Sequence, residues 1–263
     1  NMSEQSFVEL RHIRKVFNPG SVNESLLFDD FDFSVERGQF ISVVGSNGSG
    51  KTTLLNLLCG SLKPTAGTIS VAGRDITKMP EHRRSAFIGR VFQDPSVGAC
   101  GSLTILENMA LADNKGRAYN LAPGVSKKRE EFYKEQLSLL HLGLEDKLDM
   151  PVGLLSGGQR QALALLLSTL TPVDLLILDE HTAALDPKSS ENVMELTEKF
   201  VREKQLTAIM VTHNLRYAVA YGDRLVMMHQ GQVVKDAAGA DKEACKVDDL
   251  LKIFNEISIE CGN

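Results

Sequence analysis

Phe40-Ile41-Ser42-Val43-Val44-Gly45-Ser46-Asn47-Gly48-Ser49-Gly50-Lys51-Thr52-Thr53 decides the architecture of this chain. Phe40 to Val44 is a short apolar run and reads as a buried strand. Gly45 to Lys51 is a glycine-rich turn, and Thr52 to Cys59 continues as a helix that Gly60 stops. Gly45 to Thr52 fits GxxxxGK[ST], the pattern of a phosphate-holding loop. Glycines let the backbone curl so that successive amides point inward at phosphate oxygens, and the helix adds its positive N-terminal end. Lys51 is placed to reach the β- and γ-phosphates, the Thr52 hydroxyl to ligate Mg²⁺, and Thr53 to touch an α-phosphate. A chance glycine-rich turn would lack the preceding strand and following helix that this stretch has.

Working outward, Leu175 to Leu178 and Thr207 to Val211 are short apolar runs rich in branched residues, as central parallel strands are. Asp179-Glu180 follows the first of them. A carboxylate at the C-terminal end of a parallel strand is expected beside the ligand crevice of such a sheet. Asp179 is placed to hold Mg²⁺, and Glu180, one residue on, to orient and deprotonate an attacking water. The bland reading of the pair is two solvated acids at a strand end. Pro187 to Arg202 reads as a helix, with Asp186 as N-cap and Pro187 at the first helical position.

Phe7 to Phe17 and Phe31 to Val35 read as early strands of an antiparallel layer, with Asn18-Pro19-Gly20 as a turn. From Asp94 to Gly157 apolar strands give way to helical stretches, Ile105 to Ala112 and Lys127 to His141, with Phe132, Leu137 and Leu140 on one face. Arg224 to His229 and Gln232 to Lys235 flank Gln230-Gly231 as a hairpin, and Val247 to Ile257 is an amphipathic helix. The fold expected is α/β: a P-loop NTPase core with a mostly parallel central sheet, an N-terminal antiparallel β layer and an inserted helical subdomain. It is read as one domain, with residues 1–93 and 158–263 as the core and 94–157 as the insertion.

Composition narrows the function. The chain has 263 residues, a net charge of −5 and no Trp, and a pI near 5.7. Mild acidity without a basic block argues against a nucleic-acid partner. Lys127-Lys128-Arg129 is followed at once by Glu130-Glu131, as on a solvated helix face. Cys59, Cys100, Cys245 and Cys261 share no CxxC spacing and read as reduced thiols. No stretch is apolar enough to span a membrane, and NMSEQSFVEL lacks the apolar core of a signal peptide. A membrane role would come through a partner.

Leu155-Ser156-Gly157-Gly158-Gln159-Arg160-Gln161 resembles the LSGGQ signature of ABC-type ATPases, and the likeness extends along nearly the whole chain in the family's order. Phe17 matches the aromatic that stacks on adenine, and Gly45 to Thr52 the phosphate loop. Gln93, in VFQDP, matches the glutamine that joins core to insertion and is expected at the metal and the reacting phosphate. Leu175 to Glu180 match the magnesium strand and catalytic acid, and His213, in VTHN, the histidine that contacts the γ-phosphate. Ala183-Ala184-Leu185-Asp186 resembles the SALD turn without its serine, so only Asp186 carries over. His181 stands where the family usually has Pro, and the helix after the signature is unusually apolar.

The resemblance implies an ATP hydrolase that uses Mg²⁺ and works as two copies sandwiching two ATP. Ser156, Gly157, Gly158 and Gln159 of one copy would face the γ-phosphate held by the other. It further implies separate permease subunits, attachment through them to the cytoplasmic face of the membrane, and an extracytoplasmic solute-binding protein. The phrases FNPGSVNE, LTILENMALA and DEHTAALDP look like amino-acid-type uptake systems. A soluble ABC ATPase, or an exporter or membrane-remodelling subunit, is the alternative. LSGGQ argues against a P-loop kinase, and no NKxD pattern supports a GTPase.

Overall fold

A computed structural model describes residues 6–115 and 125–260. In chain order the elements are β1 (Val8–Phe17), β2 (Ser25–Val35), β3 (Phe40–Gly45), α1 (Lys51–Cys59), β4 (Ala66–Val71), β5 (Arg74–Asp75), α2 (Glu81–Arg84), β6 (Ile88–Val91), α3 (Pro95–Gly98), α4 (Ile105–Asp113) and α5 (Lys127–Ser138). There follow α6 (Gly157–Ser168), β7 (Leu175–Asp179), α7 (Pro187–Glu203), β8 (Ala208–Val211), α8 (Leu215–Ala220), β9 (Arg224–His229), β10 (Gln232–Ala238), α9 (Gly239–Ala244) and α10 (Val247–Glu260). The α/β class read from the sequence is observed, with an antiparallel sheet and a mixed, mostly parallel one.

The chain divides into two units, one of residues 1–78 and 209–263, the other of residues 79–208. In the first, β2-β1-β4-β5 form the antiparallel sheet, with Val8 opposite Val35 on one side and Val71 on the other. Stacked rings of Phe28 and Phe31, centroids 4.4 Å apart, fill its inner face. Strands β10-β9-β3-β8 lie side by side. β3 pairs parallel with β9, and β9 turns back antiparallel into β10. Every residue of β3 is buried, which is why its sequence shows no alternation. Behind this sheet Val44, Leu225, Met227 and Leu250 share a core with Ala218 and Cys245, so α10 is held by the apolar face its sequence presents.

In the second unit β6 and β7 pair in parallel, Ile88 opposite Leu175 and Val91 opposite Leu178. Helix α6 buries Gln161 to Leu166 without a break, which explains its apolar sequence. At roughly 1.5–3 kcal/mol per fully buried large apolar side chain, it is a main contributor to this unit's core. One detail departs from expectation. The inward face is Tyr133 and Leu137 on α5 with Leu140 in the turn just after it, and Phe132 lies half-buried beside them. Tyr133 turns inward because its hydroxyl donates to Asp113 Oδ2 at 2.7 Å, while Phe132 covers the Arg129 guanidinium, 4.3 Å from its ring centre.

Candidate functional site

The phosphate loop leaves β3 at Gly45 and enters α1 at Lys51. Gly48 and Gly50 take φ of 79° and 108°, left-handed conformations that a side chain rarely adopts. A Cβ at Gly50 would also lie 2.9 Å from the Phe28 ring. Leu54 N donates to Gly50 O at 2.8 Å, closing the first turn of the helix. Ser46, Asn47, Gly48 and Thr52 are exposed, and Thr53 is half-buried. Ser49 is buried, and its Oγ has no hydrogen-bond partner among the described residues.

Lys51 is only 4% exposed. Its ammonium donates to Gly45 O at 2.5 Å and lies 3.1 Å from His213 Nδ1. An ammonium is only a donor, so Nδ1 is the acceptor in this contact. Around the loop opens a pocket of about 660 Å³, lined by Phe17, Ser25 to Leu27, Ser46 to Thr53, His213 and Gln230. Its volume suits a nucleotide. Phe17 is half-buried at its wall, with Lys15 Nζ 5.2 Å from the ring centre. The first unit thus brings together Phe17, the whole loop Gly45 to Thr53, and His213. It adds Ser25 to Leu27 and Gln230, which carry no motif. Gln230 (φ 46°) and Gly231 (φ 75°) form the β9–β10 turn, and Gly231 N donates to Ser49 O at 2.8 Å, so the hairpin tip is seated on the phosphate loop.

In the second unit Asp179 ends β7 and pairs with Arg90 on the neighbouring strand, Nη2 to Oδ2 at 2.8 Å. Glu180 follows with φ of 51°, unusual for a residue other than glycine. His181 is 1% exposed, and its Nε2 lies 3.0 Å from Thr197 Oγ1. That hydroxyl spends its hydrogen on Val193 O at 2.6 Å, so it accepts from Nε2–H. Burial pushes the imidazole down to about 4. His181 is therefore a core histidine.

Ser156 caps α6 in a reciprocal box. Its Oγ accepts from Gln159 N at 3.2 Å, and its own N donates to Gln159 Oε1 at 3.0 Å. Gly157 and Gly158 form the first turn, and a Cβ at Gly157 would stand 3.0 Å from Leu185 Cδ2. Ser156 and Gly157 are exposed. Asp186 caps α7, accepting from Ser189 N at 3.1 Å; hydrogen bonds from the Ser189 hydroxyl and then its backbone hold the carboxyl below the usual carboxylate range. Gln93 is exposed on the loop after β6. Arg90 and Gln161 were not singled out by the sequence. Gln161 is 1% exposed and donates to Phe92 O at 2.7 Å and to His181 O at 2.5 Å. Its signal was an amide at the head of an apolar run, Ala162 to Leu167.

The donor types suit magnesium. Among the described residues no group of His, Cys, Asp and Glu could cage an ion. Mg²⁺ needs none, since it takes most of its ligands from water and phosphate. Thr52 in the first unit offers a hydroxyl and Asp179 in the second a carboxylate, each a ligand of the kind Mg²⁺ takes. Cys59, Cys100 and Cys245 are thiols rather than disulfides, and Cys261 lies outside the described residues.

Residues 28–183, more than half of the chain, match the family described as ABC transporter. The chain belongs to the ABC transporter family. This cassette is 44% identical over 247 residues to a tyrosine transport ATP-binding protein of Clostridioides difficile (strain R20291), covering 94% of this chain and 98% of that one. It is 34% identical to the methionine import ATP-binding protein MetN of Nocardia farcinica (strain IFM 10152), across 91% of this chain and 70% of that protein. Among solved structures, a dimeric ATP-binding cassette in a post-hydrolysis state bound to ADP and Pi superimposes with a TM-score of 0.71 at 28% identity, covering 88% of this chain and 98% of its own. The cassette is an ATP-hydrolysing subunit of an ABC transporter. Among the described residues no helix is long and apolar enough to cross a membrane.

Proposed function

We propose that two copies of this cassette close around two MgATP and, by opening after hydrolysis, drive separate permease subunits that import a solute of the amino-acid class. The observation that carries the reading is the signature segment. Ser156 and Gly157 stand exposed at the start of a capped twelve-residue helix, an outward-facing anion site with no chemistry of its own to do. The relative solved with ADP and Pi is a dimer, which supports the same reading.

In this scheme Phe17 stacks on adenine, and residues 45–53 wrap the phosphates. Lys51 leaves Gly45 O and His213 to neutralise the β- and γ-oxygens. His213 then offers Nε2–H to the γ-phosphate. Thr52, Asp179 and Gln93 would hold Mg²⁺, which would supply charge neutralisation on the phosphates. Glu180 accepts a proton from the water whose oxygen bonds to the γ-phosphorus as the bond to ADP breaks. Ser156, Gly157, Gly158, Gln159 and Asp186 of the second copy grip that γ-phosphate, so its loss releases the pair.

Glu180→Gln tests this directly. It is expected to bind ATP, to lose about 10²–10⁴-fold in turnover, and to elute as a dimer with MgATP on size-exclusion chromatography. A monomer with near-normal turnover refutes both the base and the sandwich. The solute class rests on the tyrosine and methionine relatives. Co-purification of the permease and uptake of labelled aromatic amino acids into vesicles tests it, together with the membrane-face location and the extracytoplasmic binding protein. A relative 34% identical that serves lipoprotein release makes extraction from the membrane the reading that failed uptake would favour.

A further inference from the structure

Glu180 holds its φ of 51° next to the strand that delivers it. For a residue with a side chain this costs about 1–3 kcal/mol and persists only where the surroundings over-determine it. Three contacts do so. Ala183 N donates to Glu180 O at 3.0 Å. Gln161 Nε2 donates to the next carbonyl, His181 O, at 2.5 Å. The His181 ring is buried on Thr197, which is itself bonded to Val193 O one turn back on α7.

Gln161 does more than fill space. The second hydrogen of the same Nε2 goes to Phe92 O at 2.7 Å, the peptide that leads into Gln93. Its Oε1 is buried with no hydrogen-bond partner among the described residues. That leaves a desolvation cost, which an apolar residue like the neighbouring Ala162 to Leu166 would avoid. Only the two donor bonds offset it. One amide on the helix opened by Ser156 therefore pins the carbonyl of His181, one residue past Glu180, and the peptide before Gln93.

We propose that Gln161, together with His181 seated on Thr197, is a positioning residue that holds the Glu180 backbone in its left-handed conformation and couples it to Gln93. The inference rests on Glu180 being the base, and the test separates the two.

Single-turnover hydrolysis, enzyme in excess, is measured on the full chain for wild type, Gln161→Met, Glu180→Gln and the double variant, with steady-state kcat and KM for the first two. Met keeps the length and volume of Gln without its donors. Gln161→Met is expected to lower kcat about 10–100-fold, the scale of a small misplacement, with KM for ATP within about twofold. In the Glu180→Gln background it is expected to add nothing, because both changes disable one unit. Full turnover in Glu180→Gln would remove the base assignment itself. A drop there, with Gln161→Met multiplying the loss equally in both backgrounds, would overturn the positioning role and leave the base standing. Thr197→Ser and Thr197→Val form an independent pair, decisive also if Gln161→Met is insoluble. Ser keeps the acceptor for His181 and is expected to retain kcat, whereas Val is expected to lose it at constant KM. Equal kcat in the two would remove His181 and Thr197 from the device.

Discussion

His181 stands beside the acid proposed to activate water, yet its ring is buried, neutral and bonded to Thr197. Its titration reads out as stability. The folded value of about 4 lies below the ordinary 6.5, so the unfolded chain binds the proton more readily. The contribution is fully present above pH 6.5 and is lost as pH falls toward 4, by up to about 3 kcal/mol. Urea titrations at pH 7.5 and pH 5 are expected to show this loss, and His181→Asn is expected to flatten the dependence. A wild-type midpoint unchanged between these pH values would mean that the ring is hydrated in solution.

At the scale of elements, the β9–β10 hairpin belongs to the phosphate loop as much as to its own sheet. Gly231 N bonds Ser49 O, and a Cβ at Gly231 would come within 1.9 Å of Leu27 O with φ already at 75°. Gly231→Ala is therefore expected to cost about 2–4 kcal/mol in urea unfolding and to weaken ATP binding, measured by calorimetry. Unchanged stability would mean that the tip is free to move off the loop. The α4 cap of the second unit gives a contrast. Thr104 Oγ1 accepts from Glu107 N at 3.1 Å while Glu107 bonds back to Thr104 N. Thr104→Ala is expected to cost about 1 kcal/mol, read in the same assay, with ATP hydrolysis unchanged.

For the molecule as a whole, nucleotide should act as a folding ligand. Lys51 is buried and already bonded, so its charge is fixed at the pocket floor before any phosphate arrives. At about 100 times its Kd, ATP is expected to add about 2.7 kcal/mol to stability, seen as a raised Tm in the Glu180→Gln protein, which does not consume it. Lys51→Ala is expected to abolish that rise. A rise that survives would place the nucleotide elsewhere.

What the sequence determined by itself was everything local. The apolar run Phe40 to Val44, the glycine turn and the following helix were legible because strand, loop and helix signals act over a few residues. The same holds for the Asp186 cap of α7 and for the Gln230-Gly231 turn. What only the tertiary structure decided was which distant residues meet. Arg90 reaches Asp179 because β6 and β7 pair in register. Gln161 bridges Phe92 and His181 because α6 packs its fifth residue between two loops. Lys51 finds His213, and Tyr133 displaces Phe132 from the core through a hydroxyl bond to Asp113. Periodicity specifies the face of an element to within about one residue. The partner a polar group meets is chosen by long-range packing, where each buried donor must find an acceptor.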